Sequence, residues 1–319
     1  MKKILSFILI TTFTFGGLFG CTNGNSDTSK DSRVIGACLA QTNITAFGNH
    51  LYLDLVEMCK DNGWELICMD AERDSTKEAQ NVDTLLLHDI DLFVYWPYDK
   101  EAALVNVKKV KDAGLPVVLM NADIPEEGWE DTDAYIGPDQ IAMSSEIGEY
   151  FVEKLGGSAN VAIIDGTPGT TQYLLRMEGL ESVFAENPGM NIIAHDYCMG
   201  DRAEAITMAE NFLTTYGEEL DAIYCPAGDN SAVGIAQTLH DAGRGDILVG
   251  SNDGMAEAFK LINAGYAYVT ALQKPQFQID KLEEVAEQIF AGNTIENRTQ
   301  HSRFVILSSE NISSESPEY

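Results

Sequence analysis

The feature that most constrains the fold is a repeated punctuation. "KDNGW" at 60–64, "KDAGLP" at 111–116 and "HDAGRGD" at 240–246 each place a glycine after an amphipathic stretch and before an apolar run. A glycine just past the last helical turn closes a helix, so each site predicts a helix, a turn and a strand. The segments between them alternate accordingly. "RVIGACLA" (33–40) is strand-like, and "GNHLYLDLVEMCKDNG" (48–63) sets Leu51, Leu55, Val56 and Cys59 on one helical face. "WELICMD" (64–70) is the next strand. Ser75 and Glu78 have capping-box spacing and open a helix with Ala79, Val82, Leu85 and Leu86 inward. "DLFVYWP" (91–97), "KEAALVNVKKVKDAG" (100–114) and "LPVVLMN" (115–121) continue as strand, helix and strand. Such alternation predicts parallel sheets covered on both faces.

The stretch "NADIPEEGWEDTDAYIGPDQ" (121–140) breaks the pattern: it is acidic, rich in Pro and Gly, and aperiodic. The alternation then restarts. Helices are expected near 139–155, 171–186, 201–216, 229–243, 253–265 and 275–291. Strands are expected at 161–165, 190–197, 221–225, 247–250, 267–273 and 303–307. The fold class is therefore α/β, and two doubly wound parallel-sheet lobes fit the count better than one wide sheet. From Ser308 onward apolar residues are few, and a loose tail is expected.

Composition removes several functions. The 319 residues carry a net charge of −30, and no basic stripe offsets it. Nucleic acid, whose phosphates need a Lys/Arg surface, is excluded as a partner. At the start, Lys2 and Lys3 precede an uncharged, mostly apolar stretch from Ile4 to Gly20. It contains threonines and a Gly-Gly pair, and it stops at Leu18-Phe19-Gly20-Cys21. The Leu-x-Gly-Cys ending resembles a bacterial lipobox, with Phe19 bulkier than usual there. It implies a signal peptide over 1–21, lipidation of Cys21 and a lipid-anchored, extracytoplasmic protein. Residues 22–33 read as a flexible linker. The other cysteines, Cys38, Cys59, Cys68, Cys198 and Cys225, show no C-x-x-C spacing. They are expected as buried thiols, neither bridged nor metal-binding.

Enzyme signatures do not emerge. No G-x-G-x-x-G follows a strand, and there is no phosphate-binding G-x-x-x-x-G-K-[ST], no G-x-S-x-G and no H-E-x-x-H. No catalytic residue, cofactor or metal is expected. What stands out is polar chemistry at the carboxyl ends of strands, where doubly wound folds bind ligands. These positions hold Thr42, Asn43, Asp70, Trp96, Asn121, Asp165, Tyr197, Asp229, Asn252, Asp253 and Gln273. Amides and carboxylates accept from and donate to several hydroxyls at once, and aromatic faces suit apolar ring surfaces. A neutral sugar or polyol fits; a phosphorylated ligand does not, since Arg176 is the one nearby cation candidate. Asp70, Asp229 and Asp253 could equally serve as helix caps or turn residues.

These segments resemble the bacterial periplasmic sugar-binding proteins of the ribose/galactose type. The likeness spans nearly all of 34–308 and rests on "GLPVVLMN", "DGTPGTTQYLLRMEGLESVF", "DAIYCPAGDNSAVGIAQTLHDAG", "ILVGSNDG" and "VTALQKPQFQID". It implies two lobes joined by a three-strand hinge, with the ligand cleft between them. The first lobe would be 34–136 plus 274–304, the second 137–273 plus 305–309, and 310–319 a tail. Hinge passes would fall near Ile136–Pro138, after Gln273 and near Phe304–Ile306. By the same resemblance Phe47 is the ring-stacking aromatic, Asn121 a hydroxyl binder and Arg176 the ligand arginine. Asn252 or Asp253 is the ligand carboxamide or carboxylate, and Gln273 the amide beside the hinge. Thr170 and Gln172 lie in a matching segment and join the set. The second-lobe aromatic is replaced by Gly200, for which Tyr197 or Tyr173 could substitute. The amide expected before Asp229 is Gly228, and Ala122 stands where a cation often follows Asn121. The implied role is a monomeric solute receptor for an ABC permease in the membrane. The alternative is a sensor presenting a sugar or signal molecule to a membrane receptor kinase.

Overall fold

In the computed structural model residues 32–319 are described; the expected leader, Cys21 and nearly all of the linker lie outside them. From there the chain runs β1 (Val34–Leu39), α1 (Ala46–Asp61), β2 (Glu65–Asp70), α2 (Ser75–Leu85), β3 (Leu92–Trp96), α3 (Lys100–Asp112), β4 (Val117–Met120) and β5 (Ala134–Pro138). A second series follows: α4 (Gln140–Lys154), β6 (Ala159–Asp165), α5 (Thr171–Glu186), β7 (Met190–Tyr197), α6 (Arg202–Tyr216), β8 (Ala222–Tyr224), α7 (Asp229–Asp241), β9 (Leu248–Asp253), α8 (Ala256–Asn263) and β10 (Tyr268–Leu272). The chain ends with α9 (Pro275–Phe290), β11 (Thr299–Ser302) and β12 (Val305–Leu307).

The strands form two six-stranded sheets, ordered β11-β5-β4-β3-β1-β2 and β12-β10-β9-β8-β6-β7. All pairings are parallel except that of β12 with β10. Strand side chains alternate between faces, so each sheet feeds two cores. In the first, Ile35, Ala37 and Leu39 pack with α1 and α9, while Phe93, Tyr95 and Leu119 pack with α2 and α3. In the second, Ile164, Ile223 and Val249 face α6, α7 and α8, while Ile163, Tyr224 and Val269 face α4 and α5. The chain changes sheet after Pro138, after Leu272 and between Ser302 and Val305. This is the expected two-lobed α/β architecture, each lobe doubly wound.

Several local expectations change. Asp74, not Ser75, caps α2, accepting from the Thr76 and Lys77 amides at 2.8 and 2.9 Å. Glu78 is no capping-box partner: it is buried and takes the Tyr98 amide at 2.7 Å. Strand β5 lies inside the stretch read as aperiodic, and β11, "TQHS", is too polar to register as a strand. Helix α8 starts at Ala256 because Asp253 and Gly254 turn the chain with φ of 106° and 77°.

The largest correction concerns the residues after Ser308, which are folded. Asn311 Oδ1 accepts from the Ser308 amide at 2.9 Å, and its Nδ2 donates to the Ile306 carbonyl at 2.8 Å. Ile312 packs on the second-lobe core. Polar capping, invisible to a hydrophobic pattern, holds this segment.

Gly250 in β9 shows how tightly the second core is filled. A Cβ there would lie 2.6 Å from the Phe151 ring and 3.0 Å from Ile147. Gly250→Ala is expected to cost about 1–3 kcal/mol, read as a lower urea midpoint at unchanged slope.

Candidate functional site

The polar residues expected of a ligand cleft sit at the carboxyl ends of strands in both lobes. On the first-lobe side the loop from β1 to α1 is shaped by Asp70. Its carboxylate accepts from the Thr42 amide at 3.1 Å, the Thr42 hydroxyl at 2.6 Å and Asn43 Nδ2 at 3.4 Å. Burial pushes the Asp70 carboxyl up, but the Thr42 hydroxyl and amide, the Glu72 amide and the Lys77 charge outweigh it and hold it below its usual range. Thr42 and Asn43 are thus engaged in building the loop. Thr45 caps α1 by accepting the Gly48 amide at 3.1 Å, and a Cβ at Gly48 would sit 2.5 Å from the Gln41 carbonyl. This delivers Phe47 edge-on to Trp96 at the end of β3, with ring centroids 5.9 Å apart. Asn121 ends β4 in the left-handed region, φ 60°, and its Oδ1 accepts from Gln278 Nε2 of α9 at 3.1 Å.

The second-lobe side is organised by Asp229, which is fully buried. One carboxylate oxygen takes the Gly254 and Met255 amides at 2.7 and 2.8 Å. The other takes the hydroxyls of Tyr268 at 2.8 Å and Thr270 at 3.0 Å. Burial, then the neighbouring Asp253, push its proton affinity up to about 7 against these donors. Two donors on each oxygen fill this fully buried carboxylate, so Asp229 braces the framework beneath the ligand position expected of it. Asn252, also expected in the ligand set, has its Oδ1 buried without a donor among the described residues. It is fully buried and donates to the Tyr224 hydroxyl at 3.2 Å, which in turn pairs with Ser144 at 2.6 Å. Successive strand residues face opposite ways, and Asp253 takes the other direction. Its Oδ1 accepts from Gln273 Nε2 at 2.6 Å. Gly228 explains the missing amide: at φ 102°, a Cβ there would lie 2.3 Å from Asp253 Oδ2.

Arg176 is 1% exposed. Its Nε donates to Gln140 Oε1 and its Nη1 to the Pro226 carbonyl, both at 2.7 Å, while Nη2 has no partner among the described residues. Thr170 is the N-cap residue of α5 without a capping side-chain bond, and Gln172 follows in its first turn. Tyr197 ends β7, the edge strand of the second-lobe sheet. It is 38% exposed and stacks on His195 at 4.8 Å. Both line a cavity of about 530 Å³ with Asp165, Thr167 and Tyr173 at the β7 edge of the second lobe, and the Tyr173 ring lies beside the Arg176 guanidinium at 5.9 Å. Gly200 faces open space at φ 76°, so no aromatic replaces it locally.

Gln140 and Gln278, which hold Arg176 and Asn121, were absent from the expected set; Gln278 was legible only as one more glutamine in "KPQFQID". The amide oxygens of Gln273 and Gln278 are buried with no donor among the described residues. Buried acceptors of this kind cost about 1–3 kcal/mol each when unpaired, so the site is poised for hydroxyl or amine donors. Asp229→Asn turns an NH₂ toward two donors and is expected to lose about 2–4 kcal/mol of stability; an unchanged urea midpoint would refute the framework role.

Comparisons with known proteins agree with this architecture. A family model described as a periplasmic binding protein domain matches residues 35–294. Among curated proteins, the xylitol-binding protein of Mycolicibacterium smegmatis is 24% identical over 279 residues, 88% of this chain and 78% of that one. The ribose import binding protein of Bacillus subtilis is 25% identical over 303 residues, 93% and 96% of the two chains. Among solved structures, an ABC transporter solute binding protein from Bacillus halodurans with bound myo-inositol superposes with a TM-score of 0.79 at 25% identity. It covers 90% of this chain and 98% of that one.

Proposed function

Since the chain belongs to the periplasmic binding protein family, we propose that it is the solute receptor of an ABC-type importer, binding a small polyhydroxylated solute between its lobes. The observation that carries this is the make-up of the cleft. An aromatic corner, Phe47 with Trp96, lies on one lobe, and an acceptor-rich wall, Asp253 with Gln273, on the other. A sugar or cyclic polyol offers the matching pair of surfaces, C–H faces and a rim of hydroxyls. Relatives that bind xylitol, import ribose or hold myo-inositol support the same class.

In this reading no covalent chemistry occurs. Asn121 and Asp253, each oriented by a glutamine, accept solute hydroxyls from opposite lobes, and Arg176 Nη2 donates to one oxygen. Contacts made with both lobes at once favour the closed arrangement, because a solute shifts the equilibrium only by its differential affinity. The closed shape then presents the loaded receptor to the permease. Cys21, as a lipid anchor, would keep it at the membrane face.

Isothermal titration against ribose, xylitol, myo-inositol and related sugars is expected to find a solute bound at micromolar affinity or tighter. Asn121→Ala and Asp253→Asn should each weaken that binding about 10- to 100-fold with the fold retained. Folded protein that binds none of the panel would contradict the sugar reading. Undiminished affinity in both variants would contradict the assigned cleft.

A further inference from the structure

The segment after β12 does more than fold. Glu315 is pinned between Lys274, at 3.0 Å, and Arg303, and both cations lie over the Phe277 ring. Burial pushes the Glu315 carboxyl up, yet the two cations outweigh it and keep it below its usual range. From this pin the chain turns into the cleft. Glu318 Oε1 accepts from the Gln276 amide at 3.4 Å, and the Tyr319 carbonyl accepts from the Ala256 amide at 2.6 Å. The Tyr319 ring lies edge-on to Phe47 with centroids 6.1 Å apart and 5.8 Å from His50. Tyr319 therefore touches α1 of the first lobe through its ring and the start of α8 of the second through its carbonyl. Its hydroxyl is buried without a partner among the described residues. Burial, then Asp253 and Asp229, push that phenol up, and Arg176 acts in the opposite direction. The ring thus lies within the electrostatic reach of the residues assigned to the solute.

We propose that Glu315–Tyr319 is an intramolecular occupant of the cleft, with Tyr319 holding the seat that a solute must take. The proposal rests on the reading of that cleft as the solute site. A solute then binds only the fraction of molecules in which the strap is out, and its apparent affinity falls by that fraction. Displacing Tyr319 releases the aromatic corner at Phe47 and the wall at Asp253 together. The strap, pinned at Glu315, stays tethered for return.

The strap also carries a pH-sensitive contact. Asp54 of α1 and Glu318 form a carboxyl pair, with Asp54 Oδ2 and Glu318 Oε2 both buried without a donor among the described residues. One shared proton satisfies both. Burial and then Asp54 push Glu318 up to about 8. Asp54 is raised as well, first by burial, with Glu318 and His50 acting to lower it and Glu57 and Asp280 to raise it. Lys274 and the Gln276 amide act on Glu318 in the lowering direction. A carboxyl that holds its proton more tightly when docked favours docking in full only below its ordinary value of 4.5, and the contribution already falls as pH rises above that. That contribution is lost as pH climbs through about 8.

The test uses the full chain labelled with 3-fluorotyrosine, with the Tyr319 fluorine assigned by Y319F. In the free protein at pH 6 the expected signal is shielded from solvent, showing little H₂O/D₂O isotope shift. It should become exposed toward pH 9.5 and on saturation with whichever of ribose, xylitol or myo-inositol binds. Deletion of residues 316–319, which keeps the Glu315 pin, and Y319A should each tighten that solute roughly tenfold, as expected if about a tenth of molecules are unstrapped. An exposed Tyr319 fluorine in the free protein would overturn the proposal. So would unchanged affinity after deletion, or weaker binding in both variants, which would make the strap a wall of the site. If no sugar binds even the deleted chain, the solute reading fails, while the free-state fluorine signal still decides occupancy.

Discussion

The buried Asp229 carboxylate is the interaction on which the second half of the cleft depends. It gathers donors from the turn after β9 and from β10. That turn is one an L-residue resists, since Asp253 sits at φ 106°. Four hydrogen bonds to a single carboxylate hold it there. With the turn fixed, Asp253 meets Gln273, and the remaining amide oxygen of Gln273 is buried and unpaired among the described residues. The first lobe repeats the logic with different parts. Asn121, at φ 60°, is held by Nε2 of Gln278, whose amide oxygen is likewise buried and unpaired among the described residues. Each lobe uses one glutamine to orient one polar residue from a backbone conformation that most side chains avoid. Such sites place strain where recognition is needed.

This preorganisation bears on how a receptor can bind by closure without chemistry. Neither lobe alone offers a complete set of partners; the aromatic corner belongs to one and the acceptor wall to the other. In the proposed closure a solute that satisfies both gains most when the lobes are together, and the chain crosses between the sheets near Pro138, Gln273 and Arg303. The strap adds a competing occupant. Its aromatic ring satisfies the apolar corner but leaves its hydroxyl unpaired, so a solute with several hydroxyls has something to gain by replacing it.

The architecture was legible because its signals are local and periodic: glycine punctuation and apolar faces such as Leu51 with Leu55. The family resemblance supplied the pairing of lobes. The site was legible only in outline. A strand end identifies where a ligand sits, but not which of two adjacent residues points there. Asn252 and Asp253 differ by one position and by opposite faces of β9, a distinction set by Asp229 some two dozen residues away. Asp229 itself carried the composition of a ligand residue, and only its four partners show it to be framework. Gly228, read as a missing amide, is required by the close approach of Asp253. Tyr319 gave no sequence signal, because its burial comes from two lobes that are far apart along the chain. The short polar strand β11 was invisible for a related reason: its place is fixed by pairing with β5, not by its own pattern.

The central claim is that one cleft, shared by both lobes, receives the solute. Hydrogen–deuterium exchange with and without saturating solute tests it most directly. Saturating solute is expected to slow exchange on both sides together, at 42–48 and at 253–255, and to speed it at 315–319 and at the Ala256 amide that the Tyr319 carbonyl had held. Protection confined to one lobe, or centred on the cavity at Asp165, His195 and Tyr197, would contradict it.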